Sequence, residues 1–400
     1  MISDSTNSYK GNISKYYFAA IFVGFGFFYI VIQSLYLRQH NISFEQIGYL
    51  ISATLITTFL LQIPTGYYAD KHGKKKSILI ATITKAIALS VIVFGNNLYV
   101  FFAGFILLGI GSAFGSGANS ALLYESLENI GEKEKYLKHR GRLESVYVIG
   151  DIGASAIAPI LFSMNNKIPY FVAIASLVFA FLIQTLFHEE KNILSTKRES
   201  LKNLFFNFSS FIKNKVIFFF ILFTGIFFIL NTFFTEVVQS PLFIESKAFS
   251  LSQLSLIGLI SSVALVIASF FIGDIEKKLG IKKSILSIIF LIPLSLIFLV
   301  TEENIYVLGI ILAFYTIVTA FREIAMEHYL HKEIDNNNRA TVLSFNSMFS
   351  SAISLICLPI LGLIVDHTSI EFSVILSAGI FFVISLVLIF SNRKRILGFS

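Results

Sequence analysis

Two stretches decide how this chain is read: Gly66-Tyr67-Tyr68-Ala69-Asp70-Lys71-His72-Gly73-Lys74-Lys75-Lys76, and Gly273-Asp274-Ile275-Glu276-Lys277-Lys278-Leu279-Gly280-Ile281-Lys282-Lys283. Shifted by 207 residues, Gly66, Lys71, Gly73, Lys75 and Lys76 fall on Gly273, Lys278, Gly280, Lys282 and Lys283. Both are short basic loops between long apolar runs. A second echo sets Pro159-Ile160-Leu161 against Pro359-Ile360-Leu361, at a shift of 200. Six apolar runs separate the members of each pair. Repetition at a long period means one architecture used twice, and two six-helix halves in parallel orientation are the simplest account.

The apolar runs themselves fall at 16–37, 45–67, 77–95, 98–123, 143–163, 169–187, 215–238, 254–273, 284–300, 304–326, 341–364 and 372–391. Crossing a bilayer core takes about 20 helical residues, and barrel strands would instead alternate apolar and polar residues over about ten. The expected fold is all-α integral membrane, with twelve transmembrane helices. Composition agrees: 55% of the 400 residues are hydrophobic, 44 are Phe, and only 14% are charged, against roughly 25% in a soluble domain. The expected domains are a bundle over 1–187, a linker over 188–214 and a bundle over 215–400. In the linker, Leu201, Leu204, Phe205, Phe208, Phe211 and Ile212 share one helical face, which predicts an interfacial helix over 201–212.

Charge gives orientation. Of the 31 Lys and Arg, 27 lie in the termini or in loops on the termini's side, three (Arg38, Lys167, Lys247) on the other, and Lys85 inside a span. The positive-inside rule places both termini in the cytoplasm of a multi-pass protein of the cell's inner, plasma membrane. It also explains the net charge of +7 without nucleic acid as a partner. The polar first fourteen residues, with no cleavage site after the first run, predict a retained N-terminus. The single Cys357 excludes a disulfide framework and a cysteine zinc cluster. His328 and His331 beside Glu327 form the sole His cluster, on a polar loop, and no metal site is expected. Six residues separate Gly66 from Gly73 where a phosphate-binding loop needs four, so a self-contained ATP-driven pump is not expected.

Gly66-x-x-Ala69-Asp70-Lys71-x-Gly73-Lys74-Lys75 resembles the loop 2–3 motif of the major facilitator superfamily, with Lys for its usual Arg. Ile63-Pro64-Thr65-Gly66, Ser116-Gly117-Ala118 followed by Ala121-Leu122-Leu123-Tyr124-Glu125, and Arg339-Ala340-Thr341-Val342-Leu343-Ser344 are similar to a bacterial, twelve-helix drug-efflux-type branch. That resemblance implies two bundles related by pseudo-two-fold symmetry, with a site near the midplane. It also implies a gating role for Gly66, Asp70, Lys71, Gly73 and Lys74. Physically, the glycines permit tight turns, and Asp70 is suited to accept from a helix N-terminus or pair with Lys. The plainer reading leaves the lysines as topology signals.

Ionisable groups inside spans are costly unless paired or wetted. Asp151 and Lys85 each lie about 12 Å into their runs at 1.5 Å per residue. Three readings stand: a buried Asp151–Lys85 pair, Asp151 facing a cavity to bind a proton or cationic substrate, or a water-exposed residue outside the apolar core. Tyr29, Gln62, Asn119 and Tyr147 are candidate cavity-lining residues. Arg322 and Glu323 read as a snorkelled interfacial cluster, as do Glu236 and Glu125 at their span ends. Gly111 and Gly115 have the spacing for close helix packing. The sequence departs from the efflux-type pattern at Gln62, where Glu is common, and at Asn119-Ser120, where Asp-Glu is common. No Arg occupies span four near Phe105, and Gly150, Gly153 and Pro159 echo the span-five motif only in part.

The expectation is a non-enzymatic secondary transporter, working by alternating access as a monomer on a small-molecule substrate, without a resident cofactor. Its leading form exports drugs, toxic organic compounds or secondary metabolites, with proton antiport as a hypothesis. An importer of a small nutrient and a membrane-embedded enzyme are the alternatives.

Overall fold

The computed structural model describes the backbone of residues 2–189, 215–333 and 339–396, and among these it is helical with no strand. Twelve helices are long and apolar enough to cross a membrane. They are α1 (Tyr9–Gln39), α2 (Phe44–His72), α3 (Lys74–Phe94), α4 (Leu98–Asn129), α5 (Lys138–Met164) and α6 (Ile168–Thr185). The others are α7 (Ile217–Ser246), α8 (Leu251–Ser269), α9 (Asp274–Thr301), α10 (Ile305–Met326), α11 (Asn346–His367) and α12 (Ile370–Ser391). The interfacial helix expected over 201–212 lies outside the described residues.

The chain gathers into two compact units. In the first, α1 packs on α5 and α6, and α3 on α4 and α6. In the second, α7 packs on α11 and α12, and α9 on α10 and α12. Each pairing recurs with both members advanced by six, so the repeat visible in the two loops extends to helix packing. Ser43–Gly48, the first turn of α2, belongs by contact to the second unit. There Asp366 accepts from the backbone N–H of Phe44 at 3.0 Å and Glu45 at 2.8 Å, capping orphan donors of a helix start.

Within the first unit, α2 is laced to α4 by threonines. Thr54, Thr58 and Thr65 donate to the carbonyls of Phe105, Gly109 and Ala113 at 2.8, 3.2 and 3.0 Å. A hydroxyl satisfied on a helix carbonyl is tolerated in an apolar interface, where an unpaired one costs several kcal/mol. The equivalent α8–α10 contact carries Ser261 and Thr316 with oxygens 3.3 Å apart.

Two spans leave regular α geometry at matching points of the repeat. The helix that opens α1 runs over Ile2–Phe25, then turns, and the span resumes through a 3₁₀ segment, Ile30–Ile32, and Gln33–Gln39. Its partner α7 is π-helical over Phe233–Val238 and Leu242–Ser246. Pro241 lies between those turns and has no N–H to offer its preceding turn, so the hydrogen-bond register widens around it.

Several boundaries correct the sequence reading. Helix begins at Ile2, so the polar N-terminal stretch is not a plain lead-in, and Asn12 within it is fully buried. The repeated loops are shorter than expected: α2 continues to His72 and α3 starts at Lys74, which puts Asp70 and Lys71 on a helical turn. In the second copy, residues 274–279 are likewise helical. The chain breaks at Gly73, with φ 104° and ψ 141°, and again at Gly280, with φ 68° and ψ 172°. Side chains rarely adopt such dihedrals, which is why glycine recurs at this point of the repeat.

Candidate functional site

The motif at 66–76 forms a capped corner at the termini's end of the first unit. At Gly73 the chain reverses, leaving the first N–H groups of α3 without helical partners. Glu189, just past α6, supplies them: its two carboxylate oxygens accept from Lys74 N at 2.6 Å and Lys75 N at 2.9 Å. A carboxylate there also meets the positive end of the α3 dipole. Lys74 reaches the other way and pairs through Nζ with Glu125 near the end of α4. Glu125 is therefore engaged in an ion pair, where the sequence reading left it a snorkelled span end.

The segment after α6 is held by more than Glu189. Asn12 Nδ2 donates to the His188 carbonyl at 2.8 Å and to Ser126 Oγ at 3.1 Å, while its Oδ1 accepts from His188 N at 2.8 Å. Lys15 Nζ donates to the Leu186 carbonyl at 2.6 Å. Four elements thus converge: α1, the α2–α3 corner, the end of α4 and the chain after α6. Asp70 and Gly66 are half-buried beside buried Ala69, and Lys71 is exposed. The sequence reading missed Glu189 and Asn12; Glu189 stands 115 residues from Lys74 in the chain, with no local pattern to mark it.

Deeper in the same unit are two small cavities, of about 50 and 80 Å³. Tyr16, Thr82, Asn119, Tyr147 and Gln184 give the first its polar lining. Tyr29, Thr54 and Ser112 do so for the second. Lys85 lines both. The walls are partly satisfied among themselves: Tyr16 donates to the Asn119 carbonyl at 3.2 Å, Asn119 Nδ2 to the Gly115 carbonyl at 2.9 Å, and Thr82 contacts the Gln184 amide at 2.7 Å. Tyr29 stacks on Tyr170 with centroids 5.7 Å apart. Of the sequence candidates, Tyr29, Lys85, Asn119 and Tyr147 meet at these cavities. Gln62 is exposed and lines neither. The Asp151 side chain lies outside the described residues, as do those of Glu327, His328 and His331.

Gly150 has a structural part that its motif echo did not announce. A Cβ there would lie 2.5 Å from the backbone of Gly24, so α1 and α5 cross at two glycines.

In the second unit the interfacial reading of Arg322 is corrected. Its guanidinium lies over the Phe227 ring, 3.9 Å from the centroid, and Glu323 beside it is exposed. The planar cation finds an aromatic face on α7 instead of reaching for water. Two helical turns back along α10, Tyr315 donates to Asn231 Oδ1 of α7 at 3.0 Å. Glu236 is half-buried on a π-helical turn of α7. Among the described residues, no group of three or more His, Cys, Asp or Glu is placed to hold a metal.

Twelve spans in two units built on one repeated pairing scheme, with a braced basic corner after the second span, define a polytopic membrane transporter. The chain belongs to the Major Facilitator Superfamily, whose family model matches residues 16–321 and 237–398. Among curated relatives, it is 26% identical to multidrug resistance protein MdtG of Proteus mirabilis over 73% of this chain and 74% of that one. It is 25% identical to multidrug resistance protein 2 of Bacillus subtilis over 66% of each. Among solved structures, the nucleoside transporter NupG superposes with a TM-score of 0.80 at 16% identity, over 97% of this chain and 99% of that chain. A bacterial homolog of the human lysosomal transporter Spinster does so at 0.76 and 12% identity, over 98% and 99%. At those identities the structural likeness speaks for the fold.

Proposed function

We propose that the protein is a secondary exporter of organic compounds, drugs or metabolites among them, working by alternating access in the inner membrane with both termini in the cytoplasm. The observation that carries this reading is the braced corner. Glu189, Lys74 and Glu125 tie α3 to α4 and to the chain after α6, and a two-state lock works by holding such contacts in one arrangement and releasing them in another. Asp70, on the last turn of α2 above that corner, belongs to the same lock. The export direction draws its support from the relatives named as multidrug resistance proteins. Proton antiport is the coupling we favour, with Asp151 its carrier, because Gln62, Asn119 and Ser120 offer no carboxylate. A monomer suffices for such a cycle.

Import of a small nutrient is the second reading, and the polar cavities at Lys85 favour it: a greasy drug site needs no such lining. The test is uptake of a panel of cationic, neutral and anionic organic compounds into inside-out membrane vesicles, with and without an imposed proton gradient. Gradient-driven accumulation in those vesicles establishes export. Accumulation in intact cells, with none in the vesicles, overturns it in favour of import.

A further inference from the structure

We propose that Lys85 anchors an anion site within the first unit, taking the carboxylate of a small organic acid that the protein carries. Lys85 lies eleven residues after the start of α3, about 16 Å along the helix axis at 1.5 Å per residue. It is half-buried, and no hydrogen bond or ion pair engages it among the described residues. An ammonium at that depth is costly to maintain without a partner, which sets it apart from the basic residues of the loops.

Its surroundings are shaped to hold it there. Gly111 of α4 faces the lysine stem, and a Cβ at that position would lie 2.7 Å from Lys85 Cγ and 2.9 Å from the Ala81 carbonyl oxygen. The missing side chain is thus the space in which the stem lies. With the stem seated against α4, the side chain lines both cavities. Their described linings include Tyr, Thr, Ser, Asn and Gln but no Asp or Glu. Among the described residues, the site therefore has one positive charge, neutral hydrogen-bonding groups around it, and no carboxylate. A bound anion supplies what is missing. One probe-sized water occupies about 10–15 Å³, so cavities of about 50 and 80 Å³ have room for a carboxylate and a small body beside it. Tyr29 and Tyr147, one on each cavity, offer aromatic surface to such a body.

This site deepens the carrier reading and rests on it for its physiological meaning, but it is tested by binding alone. A failure of vesicle transport and a failure of this site are therefore separate results. The full-length protein is purified in detergent at neutral pH, and its melting is followed with a thiol-reactive dye at Cys357, its single cysteine. Benzoate, chloride, phosphate and tetraphenylphosphonium are titrated at matched ionic strength. Benzoate is expected to raise the melting temperature saturably, with at least tenfold weaker apparent affinity in Lys85→Gln and partial retention in Lys85→Arg. Gly111→Ala, which crowds both the Lys85 stem and the Ala81 carbonyl but keeps the charge, is expected to weaken benzoate severalfold and gives a second reading if Lys85→Gln does not fold. A benzoate shift unchanged by these substitutions, or no shift with any compound, overturns the site. A Lys85-dependent shift with chloride or phosphate but not benzoate overturns the organic-acid assignment in favour of an inorganic anion. A shift with the phosphonium alone overturns the anion chemistry itself.

Discussion

Replacing Gly73 by alanine strikes two things at once, and the structure allows them to be separated. The first is backbone strain: at φ 104° and ψ 141° a side chain costs about 1–3 kcal/mol. The second is the helix cap. A Cβ on Gly73 would lie 2.8 Å from Glu189 Oε2, the oxygen that accepts from Lys75 N, so the carboxylate must shift and its cap on α3 is weakened. Losing a cap costs about 1 kcal/mol, and losing the negative charge at a helix start about 0.3–1 kcal/mol more. Gly73→Ala is therefore expected to destabilise the first unit by about 3 kcal/mol. Gly280→Ala is the control: its φ of 68° carries similar strain, but a Cβ there meets nothing within 4 Å. It should cost only the strain. Once Glu189→Ala has removed the cap, Gly73→Ala should likewise cost only the strain. The double mutant then falls short of the summed single effects by about 1–2 kcal/mol, well outside the roughly 0.5 kcal/mol within which independent sites add. Equilibrium unfolding in mixed detergent micelles measures each term. Additive effects of Gly73→Ala and Glu189→Ala, or equal costs at Gly73 and Gly280, would show that a side chain at Gly73 does not disturb the Glu189 cap.

Three further predictions follow from the sites. Lys74→Glu and Glu125→Lys each reverse one member of a pair whose side chains are 19% and 38% exposed; stability should change by less than about 1 kcal/mol while transport falls, and the double reversal should restore transport. Failure of the swap to restore it removes the pair from the lock. Asp151→Asn should abolish the dependence of transport on an imposed pH gradient while leaving substrate binding intact; an unchanged pH profile assigns the proton elsewhere. Arg322→Lys should lower the melting temperature, because a stacked guanidinium is worth about 1 kcal/mol, and it should add little to Phe227→Leu. Full additivity of those two substitutions shows that the stacking carries no energy.

What the sequence could and could not convey follows from the range of each interaction. The apolar runs and the recurrence of Gly66, Lys71 and Gly73 at a shift of 207 residues are carried by neighbouring residues, and the twelve helices and their repeated pairing follow from them. Gly73 and Gly280 declare themselves in the same way, since a backbone turn demands glycine wherever it occurs. The brace around that corner leaves no such trace. Glu189, Asn12 and the threonines of α2 are polar residues whose partners lie on other helices, and a polar residue in one sequence looks the same whether solvated or paired. Asn12 shows the consequence: its polar stretch reads as exposed, yet the side chain is buried on Ser126 and His188. Gly111 reads correctly as a packing glycine, but that it makes room for Lys85 appears only when α3 and α4 are set side by side. Arg322 reads as interfacial from its place near a span end, because the ring of Phe227 that receives it is far away in the chain.

Counterflow in proteoliposomes distinguishes a protein that carries its substrate through alternately opened sites from one that conducts it. Vesicles preloaded with an unlabelled substrate at high concentration are diluted into a trace of the labelled compound, with no ion gradient imposed. A carrier is predicted to give a transient accumulation of label above equilibrium, lost in Glu189→Ala if the braced corner governs the switch. Label that only approaches equilibrium, with or without preloading, would show that the protein is not a carrier.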